Sequence, residues 1–260
     1  MRRIQFFEIE DQNWVPAFIR DGITDFLQFA VDQGDLYKGF ADRLASALRK
    51  TNTRQVVDLC SGGGGPLKSL RQHIPELQSG RIRIHVTDYY PNLPAFSQLA
   101  ASAPQSFSYS SESVSALDVP VSLQGFRTLF SSFHHFNPKD ATRILQDAVE
   151  KRQGIAIAES TQRHILLLIY MLLVPILVIL TSLFQNPFRW SRLFWTYIIP
   201  VIPLLVAFDG FVSCLRTYTP DELMDMVHAI PDHTSYDWQA GIEKIGFLPV
   251  GVTYLIGTPK

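Results

Sequence analysis

Apolar positions change their period along this chain. Over residues 1–50 they recur at helical spacing, with Phe18, Ile19, Ile23, Phe26, Leu27 and Phe29 in one stretch and Phe40, Leu44 and Leu48 in the next. The spacing predicts an aromatic-rich helical layer, suited either to packing on a main core or to closing over a pocket as a lid. From residue 51 short apolar runs alternate with amphipathic stretches. Residues 55–59, 81–88, 127–132 and 154–159 read as strands, 67–77, 92–101 and 139–151 as helices, and 108–117 as a short third strand or loop. Such alternation predicts an α/β fold: a parallel sheet covered on both faces, with functional loops at the carboxyl ends of its strands.

The alternation stops at Ser160. Residues 165–184 are twenty positions without a charge, the length a helix needs to cross a bilayer. A polar break at 185–192 contains Pro187, Arg189, Trp190 and Arg192; a second uncharged run, 193–208, then continues past Asp209 to Leu215. Trp190, Trp195 and Tyr197 stand where an aromatic belt would lie. A domain with a complete sheet has little room for this much additional apolar surface, so residues 161–217 are expected to form a two-helix membrane hairpin. Arg189 and Arg192 in its connection oppose the positive-inside rule for a true span, while Lys151, Arg152, Arg163 and Arg216 flank the other side. Pro175, Pro200 and Pro203 interrupt the runs, and Asp209 is expected at the interface, because a carboxylate at mid-membrane is costly. Spanning and re-entrant hairpins both remain open. Thr219, Pro220 and Glu222 then mark a capped helix start, and 235–238 and 247–256 read as two closing strands that pair. The chain thus divides into a helical cap (1–50), a core (51–160), the hairpin (161–217) and a return to the core (218–260).

Composition adds constraints. Charged residues make up 18% of the chain, below the roughly 25% of soluble domains, as a lipid-facing surface requires. A net charge of −1 argues against nucleic acid as the main partner. The two cysteines, Cys60 and Cys214, lie in a glycine turn and an apolar run; this suits a reducing compartment, and the soluble part is expected on the cytoplasmic side of the membrane. The basic N-terminus is not followed by the apolar region of a secretory signal.

The strongest candidate chemistry is the turn Asp58-Leu59-Cys60-Ser61-Gly62-Gly63-Gly64-Gly65. A strand opening into glycines lets backbone approach a ligand closely. A dinucleotide turn would carry a third glycine where Leu67 stands, and a phosphate loop would need Gly-Lys-Ser or Gly-Lys-Thr, so neither pattern is met. The turn instead resembles the first motif of the class I S-adenosylmethionine-dependent methyltransferases, with Cys60 in place of the first glycine. The resemblance covers residues 51–160 and, through the closing strands, 218–260. It implies a Rossmann-like sheet, S-adenosylmethionine as cofactor, and contacts from Asp58, Cys60, Gly62 and Gly64. It also implies Asp88 on the ribose hydroxyls, Tyr89 stacked on adenine and Asp118 on the adenine amino group. Carboxylates suit a diol and an amine, which donate hydrogen bonds.

After the fourth strand comes Ser131-Ser132-Phe133-His134-His135-Phe136-Asn137-Pro138, where the resemblance places residues facing cofactor and acceptor. Ser131 is a cofactor candidate. One of His134 and His135 is a candidate general base, since imidazole titrates near neutrality, and Glu159 is a candidate to orient it. No cysteine or histidine partner lies at metal-ligand spacing along the chain, so no metal is expected. The implied activity is methyl transfer at the membrane to a lipophilic small molecule or lipid, mildly favouring an oxygen acceptor. A hairpin that only anchors a methyltransferase of soluble or protein substrates is an alternative, as is a non-catalytic scaffold.

Overall fold

A computed structural model describes residues 1–12 and 14–260. Successive strand side chains point to opposite faces of a sheet, so Val56 and Val57 of β1 (Gln55–Asp58) enter different cores. The other strands are β2 (Arg83–Val86), β3 (Phe107–Tyr109), β4 (Phe126–Phe130), β5 (Ile155–Glu159), β6 (Tyr236–Lys244) and β7 (Gly251–Pro259). They form one seven-stranded sheet in the order β3-β2-β1-β4-β5-β7-β6. The first five run parallel, and β7 enters antiparallel beside β5 with β6 at the edge.

The helices are α1 (Ala17–Gly34), α2 (Lys38–Lys50), α3 (Leu67–His73), α4 (Pro75–Gln78), α5 (Leu93–Ser102), α6 (Pro138–Glu150), α7 (Ile165–Thr181), α8 (Trp190–Leu193), α9 (Val201–Arg216) and α10 (Pro220–His228). One face of the sheet carries α2, α3 and α5, through Phe40, Leu44, Leu70 and Phe96. The other carries α6 and α10, through Ile144, Leu145, Leu223 and Val227. Local sequence sets several boundaries. Asn137 caps α6 with Pro138 in its first turn, and Thr219 and Glu222 close the capping box expected for α10. Edge strand β6 runs nine residues, well beyond 235–238. Glu243 faces Arg43 of α2 and Lys244 points to the opposite, exposed face, and such charges both blunt an edge and hide its apolar alternation.

The helical cap is not one unit. Residues 1–12 form no helix and α1 begins at Ala17, because Pro16 cannot donate within a helix but suits the position before its first turn. α2 belongs to the sheet's core, whereas α1 joins α7 and α9 in a third core of Ile19, Ile23, Phe26, Val174, Val178, Ile202 and Val206.

The apolar segment also departs from a pair of spanning helices. α7 has 17 residues, about 26 Å at 1.5 Å per residue, short of a ~30 Å hydrocarbon core. The second run breaks into α8, a π-turn (Phe194–Ile198) and α9, with an 83° bend between the parts. Pro200 and Pro203 account for the break, since neither can continue the hydrogen-bond ladder. Among the described residues no single helix is long and apolar enough to cross a membrane; the bent pair passes that test only as a whole. Arg189 and Arg192 are not free loop charges. Both bind Asp25 of α1, and Arg192 is fully buried. Asp209 is also buried, and its carboxylate accepts the backbone N–H groups of Ile9 and Glu10 at 2.7 and 3.0 Å.

Candidate functional site

Strand order reverses between β1 and β4, and in open α/β sheets the crevice outside the carboxyl ends at such a point receives ligands. Here it holds a cavity of about 340 Å³. Its floor is the glycine turn after β1. Cys60, Gly62, Gly64 and Gly65 all have φ between +46° and +105°, a region that favours glycine. A Cβ on Gly62 would meet nothing within 4 Å, so this backbone faces open space, as a closely approached ligand requires.

Asp58 lies beneath the turn and does not line the cavity. It is buried, and its carboxylate accepts the hydroxyls of Ser61 and Thr128, each at 2.6 Å. Burial pushes its pKa up to about 7, against the lowering effect of those two bonds. In this position it holds the shape of the turn through Ser61 and Thr128. Cys60 lines the cavity as a neutral thiol, since burial and the nearby carboxylates of Asp88, Asp58 and Glu159 raise its pKa. Asp88, just past β2, lines the same cavity and accepts the Gly62 N–H at 2.9 Å. Tyr89 is exposed beside it. Ser131 has φ +44° and lines the cavity, its hydroxyl held between Tyr37 at 2.7 Å and Ser160 at 2.8 Å.

Asp118 stands apart from this cavity. Its side chain is 83% exposed and pairs with Lys151 just after α6, so it does not line the cavity. β3 ends at Tyr109, and the chain first crosses back over the β2 tip: Val114 N–H donates to the Asp88 carbonyl and the Ser113 hydroxyl to that of Tyr89. Ser113 is therefore the polar side chain this loop brings beside Asp88 and Tyr89, and no acidic pattern marks it in the sequence.

The opposite wall comes from the N-terminal strap, residues 3–12, and the turn after β4. Glu10, Asp11 and His135 line it, with Thr24, Leu27 and Gln28 of α1 above. Arg3 and Arg216 fix the turn by donating to the His134, His135 and Phe136 carbonyls. His135 Nδ1 lies 3.0 Å from Asp11 and its Nε2 3.5 Å from Glu8. Burial opposes charge on this ring, but the bond to Asp11 and the charges of Glu8, Asp11 and Glu10 outweigh it, carrying the pKa up to about 9. A ring with both nitrogens facing carboxylates is not the free general base expected. His134 and Glu159 lie behind this wall, with His134 Nδ1 2.5 Å from a Glu159 oxygen and the Phe133 N–H donating to the other at 2.7 Å. Glu10 is pushed up to about 7 by burial, with Glu8, Asp209 and Asp11 adding to the effect and His135 opposing it. Glu8, Glu10 and Asp11 carried no signal in the sequence, because the strap has no periodicity and its contacts span more than a hundred residues.

A larger depression beside α2 and β6, about 440 Å³, is lined by Asp42, Arg43, Lys50, Asp237 and Glu243. Most of its charges pair with one another, Arg43 with Glu243 and Lys50 with Asp237, and it has no glycine turn or convergent unpaired group.

No protein-family model matches this chain, and no curated protein does. Solved structures do. The methyltransferase domain of a bacterial Hen1 protein superposes with a TM-score of 0.52 at 14% identity, over 86% of this chain and 99% of that one. An O-methyltransferase from neocarzinostatin biosynthesis, solved with S-adenosylmethionine and 2-hydroxy-5-methyl naphthoic acid, superposes with a TM-score of 0.54 at 13% identity over 94% of this chain. An O-methyltransferase family protein from Burkholderia thailandensis gives 0.50 at 14% identity over 91%. This chain spans only 59% of the length of each of the last two. The fold is that of the class I methyltransferases, with the cavity at the sheet's switch point.

Proposed function

We propose that this protein is an S-adenosylmethionine-dependent methyltransferase that works at a membrane surface on a hydroxyl group of a lipophilic small molecule or lipid. The observation carrying this reading is the cavity itself, with a left-handed glycine turn and Asp88 on one side and the Glu10–Asp11–His135 wall on the other. The residues fit the cofactor: the open space over Gly62 admits a ligand against the backbone, and Asp88 offers acceptor oxygens to a diol.

When bound, S-adenosylmethionine supplies an electrophilic methyl group. The chain's own residues do the rest. The glycine turn and Asp88 fix the cofactor, Tyr89 borders the adenine side, and Ser131 is held by Tyr37 and Ser160 at the cavity edge. His135 and Asp11 face the acceptor; Glu10, raised to about 7, takes the hydroxyl proton, while Asp11 is kept ionised by His135 and Arg216. His134 and Glu159 are positioning residues that hold the turn carrying His135. Thr24 and Leu27 cover the site and exclude water.

Support for the membrane and for a lipophilic acceptor comes from exposed apolar side chains. On α7 these include Leu172, Leu173, Ile176 and Leu180, and on α9 Leu204 and Phe208, with Phe7 of the strap against Phe208. So many large apolar side chains exposed on two packed helices are what a membrane or protein contact leaves uncovered in the isolated chain. α7, α8 and α9 then lie in the bilayer interface as a shallow hairpin, with α1 between them and the cavity.

Calorimetry of the purified protein should show one S-adenosylmethionine site, weakened at least about tenfold by Asp88→Ala, a loss of roughly 1.4 kcal/mol. With the tritiated methyl donor and a membrane extract, label should enter an organic-soluble product. Label confined to protein would replace the lipophilic acceptor with a protein substrate. No cofactor binding by folded protein would end the reading.

A further inference from the structure

Glu8 and His134 lie behind the cavity wall, and with His135, which lines the cavity, they form a cluster whose Glu8 the methyl-transfer reading does not use. Their donor atoms, one per residue, all lie within 4.8 Å of one another. Glu8 is 1% exposed. One of its oxygens, Oε1, meets Arg216 at 3.2 Å and accepts the Ser213 hydroxyl at 3.1 Å. The other, Oε2, has no hydrogen-bond partner among the described residues, which is a costly state for a buried carboxylate. His134 Nε2 stands 3.6 Å from Oε1 and His135 Nε2 3.5 Å from Oε2, too far for good hydrogen bonds.

These spacings suit an ion between the groups. Two donors bonded to one tetrahedral ion at roughly 2.0–2.1 Å stand about 3.4 Å apart. Both rings are already oriented for ligation. His134 Nδ1 is bonded to Glu159 and His135 Nδ1 to Asp11, so each Nδ1–H donates to a carboxylate and each Nε2 faces Glu8; a bound ion would displace the proton that His135 otherwise holds on Nε2 among these carboxylates. Carboxylate–histidine pairs of this kind hold metal-binding imidazoles. Charge agrees: Glu8, Asp11 and Glu159 converge here against the guanidinium of Arg216, leaving two negative charges when the rings are neutral.

We infer that Glu8, His134 and His135 bind one divalent first-row transition-metal ion of the zinc type, with Asp11 and Glu159 orienting the two rings. Two imidazoles and one carboxylate favour such an ion over magnesium or calcium, which take all-oxygen sets. The fold creates the site by bringing residue 8 against residues 134 and 135, so ligand spacing along the chain could not show it. The ion would tie the N-terminal strap to the turn after β4 and fix the wall that carries Asp11 and His135. This inference stands on geometry alone and does not depend on the methyl-transfer reading.

The test uses tag-free, chelator-stripped full-length protein and Co²⁺ as the probe. One Co²⁺ per chain by native mass spectrometry is expected, with visible absorption bands, no thiolate charge-transfer band, and displacement by Zn²⁺. Metal should raise Tm and slow amide exchange over residues 3–12. Glu8→Gln and His134→Gln should each weaken Co²⁺ binding by at least the 10- to 100-fold typical of lesions at a metal site's periphery. The inference is overturned by no saturable Co²⁺ or Zn²⁺ binding up to about 1 mM by folded wild-type protein. It is equally overturned by unchanged affinity in both variants, or by a thiolate band assigning the ion to Cys60 or Cys214.

Discussion

Arg192 is the most heavily committed charge in the apolar segment, and its partner is 167 residues away. Its Nη1 lies 2.5 Å from Asp25 Oδ2 and 3.0 Å from the Pro187 carbonyl, and its Nη2 lies 2.8 Å from the Gln185 carbonyl. The side chains are 0% and 10% exposed. Burial holds the Asp25 carboxyl above the ordinary carboxylate value, opposed by Arg189 and Arg192. Asp25→Leu leaves the buried guanidinium with carbonyl partners alone and should cost about 3–5 kcal/mol. Arg192→Met should cost less, about 2–3 kcal/mol, because the half-exposed Arg189 still reaches Asp25 at 2.9 Å. The double variant should recover much of this, since a well-packed apolar pair often replaces a buried ion pair at little net cost. Denaturant titration followed by tryptophan fluorescence is the assay, because Trp195 stacks on Phe18 of α1 at 5.6 Å in the same interface. Single variants costing less than about 1 kcal/mol each, with additive effects in the double, would show that the pair does not hold α1 to the apolar segment.

Three further outcomes follow from the cavity. Gly62→Ala places a Cβ in open space at φ +53°, so stability should fall by only about 1–2 kcal/mol while calorimetry shows S-adenosylmethionine binding weakened at least tenfold, about 1.4 kcal/mol. Asp118→Ala should leave that affinity unchanged and stability within about 0.5 kcal/mol, and a marked loss of affinity would restore Asp118 to the site. Asp58 is raised from 3.8 to about 7 in the folded state, so its contribution to stability is full below pH 3.8 and lost as pH rises through about 7. Asp58→Asn should therefore gain on wild type by on the order of 2–4 kcal/mol between pH 4 and 7.5, and a constant difference across that range would refute the assignment.

Residues 51–160 were largely legible because their information is local. The glycine turn, the acidic residue after β2 and the alternation of apolar runs each sit within a few positions of what they determine. The capping box at Thr219 and Glu222 is likewise local, and it forms. The place of Asp118 was not legible, because motif order cannot show that β3 is three residues long and that the loop after it turns back over Asp88 before reaching position 118. The uncharged run at 193–208, continued past Asp209 to Leu215, reaches the length of a span, but length does not show an 83° bend. Arg189, Arg192 and Asp209 looked like exposed or interfacial charges because Asp25, Ile9 and Glu10, their partners, lie far away in sequence. The N-terminal strap was the least legible part. Glu8, Glu10 and Asp11 gain their meaning only when α9 and the turn after β4 draw them against the histidines.

Transfer of a labelled methyl group tests the central claim most directly. Wild-type protein, Asp88→Ala and Gly62→Ala, each confirmed folded, are incubated with tritiated S-adenosylmethionine and lipid vesicles made from a total membrane extract. The account predicts that wild-type protein co-floats with the vesicles and transfers label to an organic-soluble product, and that both variants float but lose the transfer. Wild-type protein that is folded and vesicle-bound, yet neither binds S-adenosylmethionine nor labels any acceptor, would contradict it.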